Sequence, residues 1–263
     1  MHNQPLKNKW EVKAIELGEI RENNKGTKMK IIRCRNSEDI DVEFLDEYHY
    51  VKHNTTYSNF VRGQIKNPYD KTLYGIAYIG HGKYKPSINK QNTPAYNQWV
   101  SMLERCYCEK RRHRTKAYVN CEVCKEWLNF QNFAEWFYKN HYDCNERLHV
   151  DKDILISGNH IYSPETCLLV PQRLNAMFMN KQNNRGLPNG IVRQGKGYLA
   201  KYNGEHLGVF STVEEAYCVY AKKKKEGIIE AVYEYKNIIP FKVYQAILNH
   251  EFRIENDINY IAS

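Results

Sequence analysis

Apolar and polar residues alternate with a period of two early in the chain. Met29-Lys30-Ile31-Ile32-Arg33-Cys34 precedes a polar break at Arg35-Asn36-Ser37, and Ile40-Asp41-Val42-Glu43-Phe44-Leu45 alternates again. This is the pattern of half-buried antiparallel strands. Asn23-Asn24-Lys25-Gly26, Asn54–Tyr57 and Gly63–Pro68 are turn clusters. Residues 1–74 are thus expected to form a small β-rich module, a barrel or curled sheet. Residues 75–94 read as a Gly/Lys/Asn-rich linker. Its glycines precede no helix-opening Lys-Ser/Thr, so no phosphate-cradling loop is expected there.

The period becomes helical near Thr93 or Pro94, where Tyr96, Trp99, Met102, Leu103 and Cys106 form one stripe. Cys108–Lys116 breaks that stripe and predicts a loop. Trp127, Phe130, Phe133, Trp136 and Phe137 form an aromatic helix face, expected in the core. The spacing then predicts a strand over Leu148–Leu155, a long turn at Gly158-Asn159, and a second strand running through Tyr162–Cys167. A helix is expected from Pro171 to about Asn180. After a polar linker at 183–188, Gly190–Arg193, Tyr198–Tyr202 and His206–Phe210 read as three short strands. Asn203-Gly204 is a hairpin signal between two of them. Ser211 or Thr212 caps a helix with Glu214 and Glu215 in its first turn and Lys222–Lys225 at its basic end. A last helix covers Pro240–His250. The fold class expected is α+β and multidomain: the N-terminal β module, a central domain over 95–182, and a three-stranded sheet plus helix over 189–252.

Charge adds a partner class. The net charge is +9 with 21 tyrosines, and Lys83–Tyr118 carries nine Lys/Arg against two Glu. A basic, tyrosine-rich surface favours nucleic acid, with plain solubility as the bland alternative. Arg111, Arg112 and Arg114 are candidate phosphate contacts, or else part of a solvated loop. No apolar run is long enough to cross a bilayer, and the first residues lack the apolar core of a secretion signal. The expected location is the cytoplasm, with no membrane partner.

The candidate chemistry lies between His149 and Asn175. Strand, turn, strand and helix there outline a ββα-metal nuclease hairpin. Asp151 and Asp153 are hard oxygen ligands suited to magnesium or manganese. Asn175 sits one turn into the following helix. The alternative for Asp151-Lys152-Asp153 is an exposed strand end with an internal salt pair. Eight cysteines in a cytosolic chain argue for free thiols or metal. Cys121-Glu122-Val123-Cys124 is a C-x-x-C knuckle, and with Cys106 and Cys167 it would offer four thiolates to a structural zinc. Buried free thiols are the other reading.

Trp99-x-x-Met102-x-x-Arg105-Cys106-Tyr107, Tyr118-x-x-Cys121-x-x-Cys124-x-x-Trp127, Phe130-x-x-Phe133 and Asp151-Lys152-Asp153 with Tyr162-Ser163-Pro164-Glu165-Thr166-Cys167 resemble bacteriophage and prophage HNH endonucleases over residues 95–182. Residues 189–232 resemble the plant-type AP-two/ERF DNA-binding domain, through Gly190-Ile191, Tyr198-Leu199-Ala200, Leu207-Gly208-x-Phe210 and Glu214-Glu215-Ala216-x-x-x-Tyr220. The first resemblance implies metal-dependent cleavage of DNA inside a host bacterial cell. The second implies a sheet in the major groove, with Arg193, Lys196, Tyr198 and Lys201 on its DNA face. HNH hairpins usually read Asp-His where this chain has Asp151-Lys152. Lys152 would then act as base or stabilise transition-state charge, and His149 or His160 would be the substitute base. His149 lies two residues before Asp151 and so on the same strand face. Three functions stay open: a metal-dependent endonuclease or nickase acting on double-stranded DNA, a non-catalytic DNA-binding or regulatory protein, and a protein that binds and inhibits a host protein through its N-terminal module.

Overall fold

The structure, a computed structural model, describes residues 15–112 and 118–261. It is α+β. Arg114 lies outside the described residues. The chain divides into two units: residues up to Thr72 with Tyr78–His81, and Leu73–Ala77 with residue 82 onward.

In the first unit β1 (Ile20–Glu22), β2 (Lys28–Asn36), β3 (Asp39–Phe44) and β4 (Val51–Thr55) form an antiparallel sheet in chain order. The alternation explains the core. Met29 and Ile31 on β2 and Ile40, Val42 and Phe44 on β3 are buried, while Lys28, Lys30 and Glu43 remain at least partly exposed. α1 (Tyr57–Val61) adds Phe60 to that core, its first turn held by the Thr56 side chain accepting from Asn59 N. Each such side chain contributes roughly 1.5–3 kcal/mol on burial. Asp41 is buried within this sheet and fully partnered. Arg35 reaches both of its oxygens at 3.2 and 2.9 Å, His53 approaches to 3.3 Å, and Asn54 N donates at 3.1 Å.

The second unit begins with a small hairpin, β5 (Ser87–Ile88) and β6 (Gln91–Asn92), turned by Asn89 and Lys90 at φ of 50° and 64°. α2 (Pro94–Tyr107) follows, with Thr93 as N-cap and proline at its first position. It buries Ala95, Gln98, Trp99, Met102, Leu103 and Cys106. The basic run is not all loop: α3 (Glu109–Arg112) is a short helix. Glu109 at its start suits the helix dipole, and lysine and arginine are good helix formers. β7 (Glu122–Val123) leads to α4 (Phe130–Asn140). The aromatic stripe is core: Trp99 Nε1 donates to the Trp127 carbonyl at 2.6 Å, and Phe133 packs edge-on to Trp127.

The hairpin differs from expectation in two places. β8 (Leu148–Asp151) stops at Asp151, because that side chain turns back to accept from Asp153 N at 2.8 Å and Ile154 N at 2.7 Å. β9 (Ile161–Tyr162) does not pair with β8; it runs parallel to β7. After the turn at Ser163–Thr166, β10 (Leu168–Pro171) pairs antiparallel with β8, matching Leu168 to Asp151 and Val170 to His149. Cys167 is therefore outside the second hairpin strand. α5 (Gln172–Phe178) follows directly.

β11 (Ile191–Gln194), β12 (Gly197–Tyr202) and β13 (Glu205–Phe210) form an antiparallel three-stranded sheet. α6 (Val213–Glu234) opens on a full capping box between Thr212 and Glu215. It runs well past Lys222–Lys225, so those lysines sit mid-helix rather than at its end. Its first half packs Ala216, Tyr217 and Tyr220 on Ile191 and Ala200 of the sheet. Its second half sets Ile228, Ala231 and Val232 in a core with Ile154, Leu168, Val170 and Leu174 of the hairpin region. α7 (Phe241–Asn249) closes that core with Val243, Tyr244 and Ile247. Glycine allows the close approaches. Gly190, at φ +81°, has a Tyr220 ring carbon 2.1 Å from where a Cβ would stand.

Candidate active site

A cavity of about 310 Å³ opens where β8, α5 and α6 converge. Its lining includes Arg105, Asp151, Lys152, Asn159, Asn175 and Lys224. Aromatic rings of Tyr162, Tyr217, Tyr220 and Phe252 complete much of the wall. The C-terminal segment holds one side in place: Asn256 Nδ2 donates to Ser157 Oγ at 2.8 Å, and Asn180 Nδ2 donates to the Asn256 carbonyl at 3.0 Å.

Lys152 is buried, with 4% of its surface exposed. Its Nζ donates to both Asp153 oxygens at 2.7 and 2.8 Å and to the Asn159 carbonyl at 2.6 Å. Burial alone would lower its pKa, but Asp153 and the other neighbouring acidic groups outweigh that and the net direction is upward. Three acceptors for three protons fix an ammonium with no lone pair to offer. The expectation of Lys152 as base does not fit this geometry; its fixed charge remains available. Asp153, expected as a second metal ligand, already has both oxygens engaged by Lys152.

His149 and Asn175 are in the opposite condition. His149 Nε2 and Asn175 Oδ1 are buried with no hydrogen-bond partner, as is Arg105 Nε. Natural interiors leave few polar atoms in that state, and each calls for an explanation. Burial, and then Arg147, lower the His149 pKa, which favours its neutral imidazole. A neutral imidazole with a free nitrogen is a base or a ligand. Asp151 lies on the same strand face, and burial and then Asp153 push its carboxyl up to about 6. His160 is exposed on the connecting loop.

Asp151 and Asn175 carry oxygen donors of the kind a hard divalent cation takes, and Asn175 Oδ1 is one of the buried atoms without a partner. Among the described residues no three His, Cys, Asp or Glu groups gather to hold a metal. Cys106, Cys121 and Cys167 are buried and Cys124 is half-buried. Burial pushes Cys121 up, Cys124 up to about 11 and Cys167 up to about 12.

The four residues expected on a DNA face do not share one. Arg193 and Tyr198 are register partners on the side of the sheet that carries Ile191 and Ala200. Arg193 Nη1 donates to Tyr198 Oη at 2.6 Å, and its guanidinium lies 4.9 Å from that ring's centre. Lys201 is three positions beyond Tyr198 on the same strand, and so on the other face. Lys196 is in the exposed β11–β12 turn. Arg111 and Arg112 end α3.

Arg105 and Lys224 were not among the sequence candidates for the site. Arg105 sits in the motif that carries the nuclease resemblance, and it falls at a helical spacing facing Tyr118 and Tyr162, whose ring centres lie 5.7 and 5.4 Å from it. Lys224 was hidden inside a run of four lysines. Comparison with known proteins finds no matching family model, no similar curated protein and no similar solved structure.

Proposed function

We propose that the chain is a divalent-metal-dependent DNA endonuclease or nickase of the HNH type, with His149 rather than Lys152 as its base. The observation that carries this is that His149, on the same strand face as Asp151, and Asn175, in the cavity lining with Asp151, keep buried polar atoms without partners. His149 would take a proton from water at Nε2, its pKa lowered by burial so that the nitrogen is free to accept. Asp151 and Asn175, with their oxygens, would hold the cation. That cation, when bound, would stabilise negative charge on the scissile phosphate. Arg105 would face the same phosphate from α2. Lys152 would set the shape of the loop through Asp153 and Asn159 and contribute fixed positive charge. Double-stranded DNA is the proposed substrate, with Lys196 and Lys201 as backbone contacts.

The test is relaxation of supercoiled plasmid with magnesium or manganese by wild type, His149→Ala and Asp151→Ala. Metal-dependent nicking lost in both variants is expected. No nicking by wild type across many duplex substrates would sink the catalytic reading. Salt-sensitive duplex binding that persists in Asp151→Ala, without nicking, would instead select the non-catalytic DNA-binding reading, which the committed ammonium of Lys152 favours.

A further inference from the structure

Lys224 lines the same cavity from α6. It is 7% exposed. Its neighbour Lys225 gives the contrast. Lys225 Nζ donates to the carbonyls of Ile247, Leu248 and His250 at 3.2, 2.6 and 2.5 Å, tying α6 to the end of α7. Lys224 Nζ makes no hydrogen bond or ion pair among the described residues. It lies 4.3 Å from the Phe252 ring centre and 5.9 Å from that of Tyr220. Asp257 is the nearest acidic influence. Its oxygens are already taken by Asn189 N and Nδ2 and by Asn259 N and Nδ2, at 2.9 to 3.0 Å.

An ammonium on a largely buried side chain, without a protein acceptor, is costly unless something compensates it. Two aromatic faces offset part of that cost. The remainder is what an incoming oxyanion would supply, through charge-assisted hydrogen bonds from three ammonium protons. The cavity is the right kind of place, because the guanidinium-bearing Arg105 also lines it. We infer that Lys224 is an anion-binding residue that takes a phosphate oxygen entering this cavity. Burial lowers its pKa to about 8, so it is still mostly charged at neutral pH, and a bound phosphate would hold the proton more firmly. The aromatic walls suit a phosphate attached to a nucleoside. The ligand class is therefore a phosphate group of a nucleic-acid strand or a free phosphate ester. This rests on the nuclease reading of the cavity, but it is measured without any cleavage.

The experiment titrates the full chain, with no added metal, against inorganic phosphate and separately against a short duplex oligonucleotide. Lys224→Met keeps the apolar stem and removes the charge; Lys224→Arg restores the charge. Either phosphate or duplex affinity is expected to fall about tenfold or more in Lys224→Met and to recover most of the loss in Lys224→Arg. Loss in the phosphate arm identifies a free-phosphate site, and loss in the duplex arm alone identifies the nucleic-acid backbone. Unchanged affinity in both arms for a folded Lys224→Met, or no binding of either probe by wild type, overturns the inference. If Lys224→Met does not fold, the lysine ammonium resonances of wild type decide. A shift of the Lys224 signal on adding either probe supports the site, and no shift under either refutes it. Nicking that fails while Lys224-dependent binding persists refutes only the nuclease reading.

Discussion

Two aspartates stand on strands of the two units, Asp41 buried and Asp151 half-buried, and their surroundings differ completely. Asp41 accepts from Arg35, Asn54 N and His53, and its carboxyl is held well below the usual range, first by Arg35. Asp151 spends one oxygen on its own turn, and burial pushes it up to about 6. Around Asp41 the partners are in place, so that cluster is architecture. Near Asp151, His149 on the same strand and Asn175 on α5 keep buried atoms unpaired. The difference between the two lies in hydrogen-bond satisfaction rather than in residue type.

The sharpest way to break this comparison is to remove the unpaired groups. His149→Ala is expected to lower metal-dependent nicking by about a hundredfold or more, in the range of a lost general base. Lys152→Met is expected to lower it by less than about tenfold, since its ammonium acts on loop shape and charge. Equal losses in single-turnover plasmid assays would return the base role to Lys152.

Gly190→Ala should cost about 3 kcal/mol or more, combining a strained positive φ with a clash against the Tyr220 ring. Thermal unfolding followed by circular dichroism would show it as a lower Tm. An unchanged Tm would mean that the sheet and α6 are packed more loosely than described.

The two aspartates also predict opposite pH dependence. Asp151 has its folded pKa raised from the ordinary 3.8 to about 6, so its ionisation disfavours folding, and stability is lost as pH rises through that window. Asp151→Asn should therefore stabilise the fold above pH 6, by no more than about 3 kcal/mol, while abolishing nicking. Asp41, with its folded pKa lowered, contributes stability that is present above its ordinary 3.8 and lost as pH falls toward its folded value. Asp41→Asn should lower Tm at neutral pH and flatten the acid limb. Denaturation across pH 3 to 8 reads both. Parallel behaviour of the two variants would erase the contrast.

The smallest effect belongs to the sheet. Lys196→Ala and Lys201→Ala should each weaken duplex binding modestly and reduce the salt slope by about one. No change in slope would remove the sheet from the DNA contact.

Much of this was legible in the chain. The alternation at Met29–Phe44 places the first sheet, and Asn203-Gly204 places the hairpin between β12 and β13, because period and turn chemistry are local. The aromatic stripe announced itself as core. The misread parts depend on distant partners. Tyr162 leaves the hairpin because β7, some forty residues earlier, offers it a parallel edge. α6 runs past its lysines because Ile228, Ala231 and Val232 have a second core to enter. Lys152 could be seen as the wrong residue for a base. That its three protons are committed to Asp153 and Asn159 could not, since Asn159 comes back only after the loop closes. Arg105 and Lys224 share a cavity although they are 119 positions apart.

The length of α6 has one more consequence. Its 22 residues span about 33 Å at the usual rise per residue, and a single rod carries both the three-stranded sheet and the hairpin core. A cassette that recombines freely among genes must bring its own interior. Cut out at residue 189, the sheet would take along half a helix whose Ile228 and Val232 had lost their lining. Exchange of the sheet for another module would thus have to break inside the rod, near Lys224, or carry part of the cavity lining along with it.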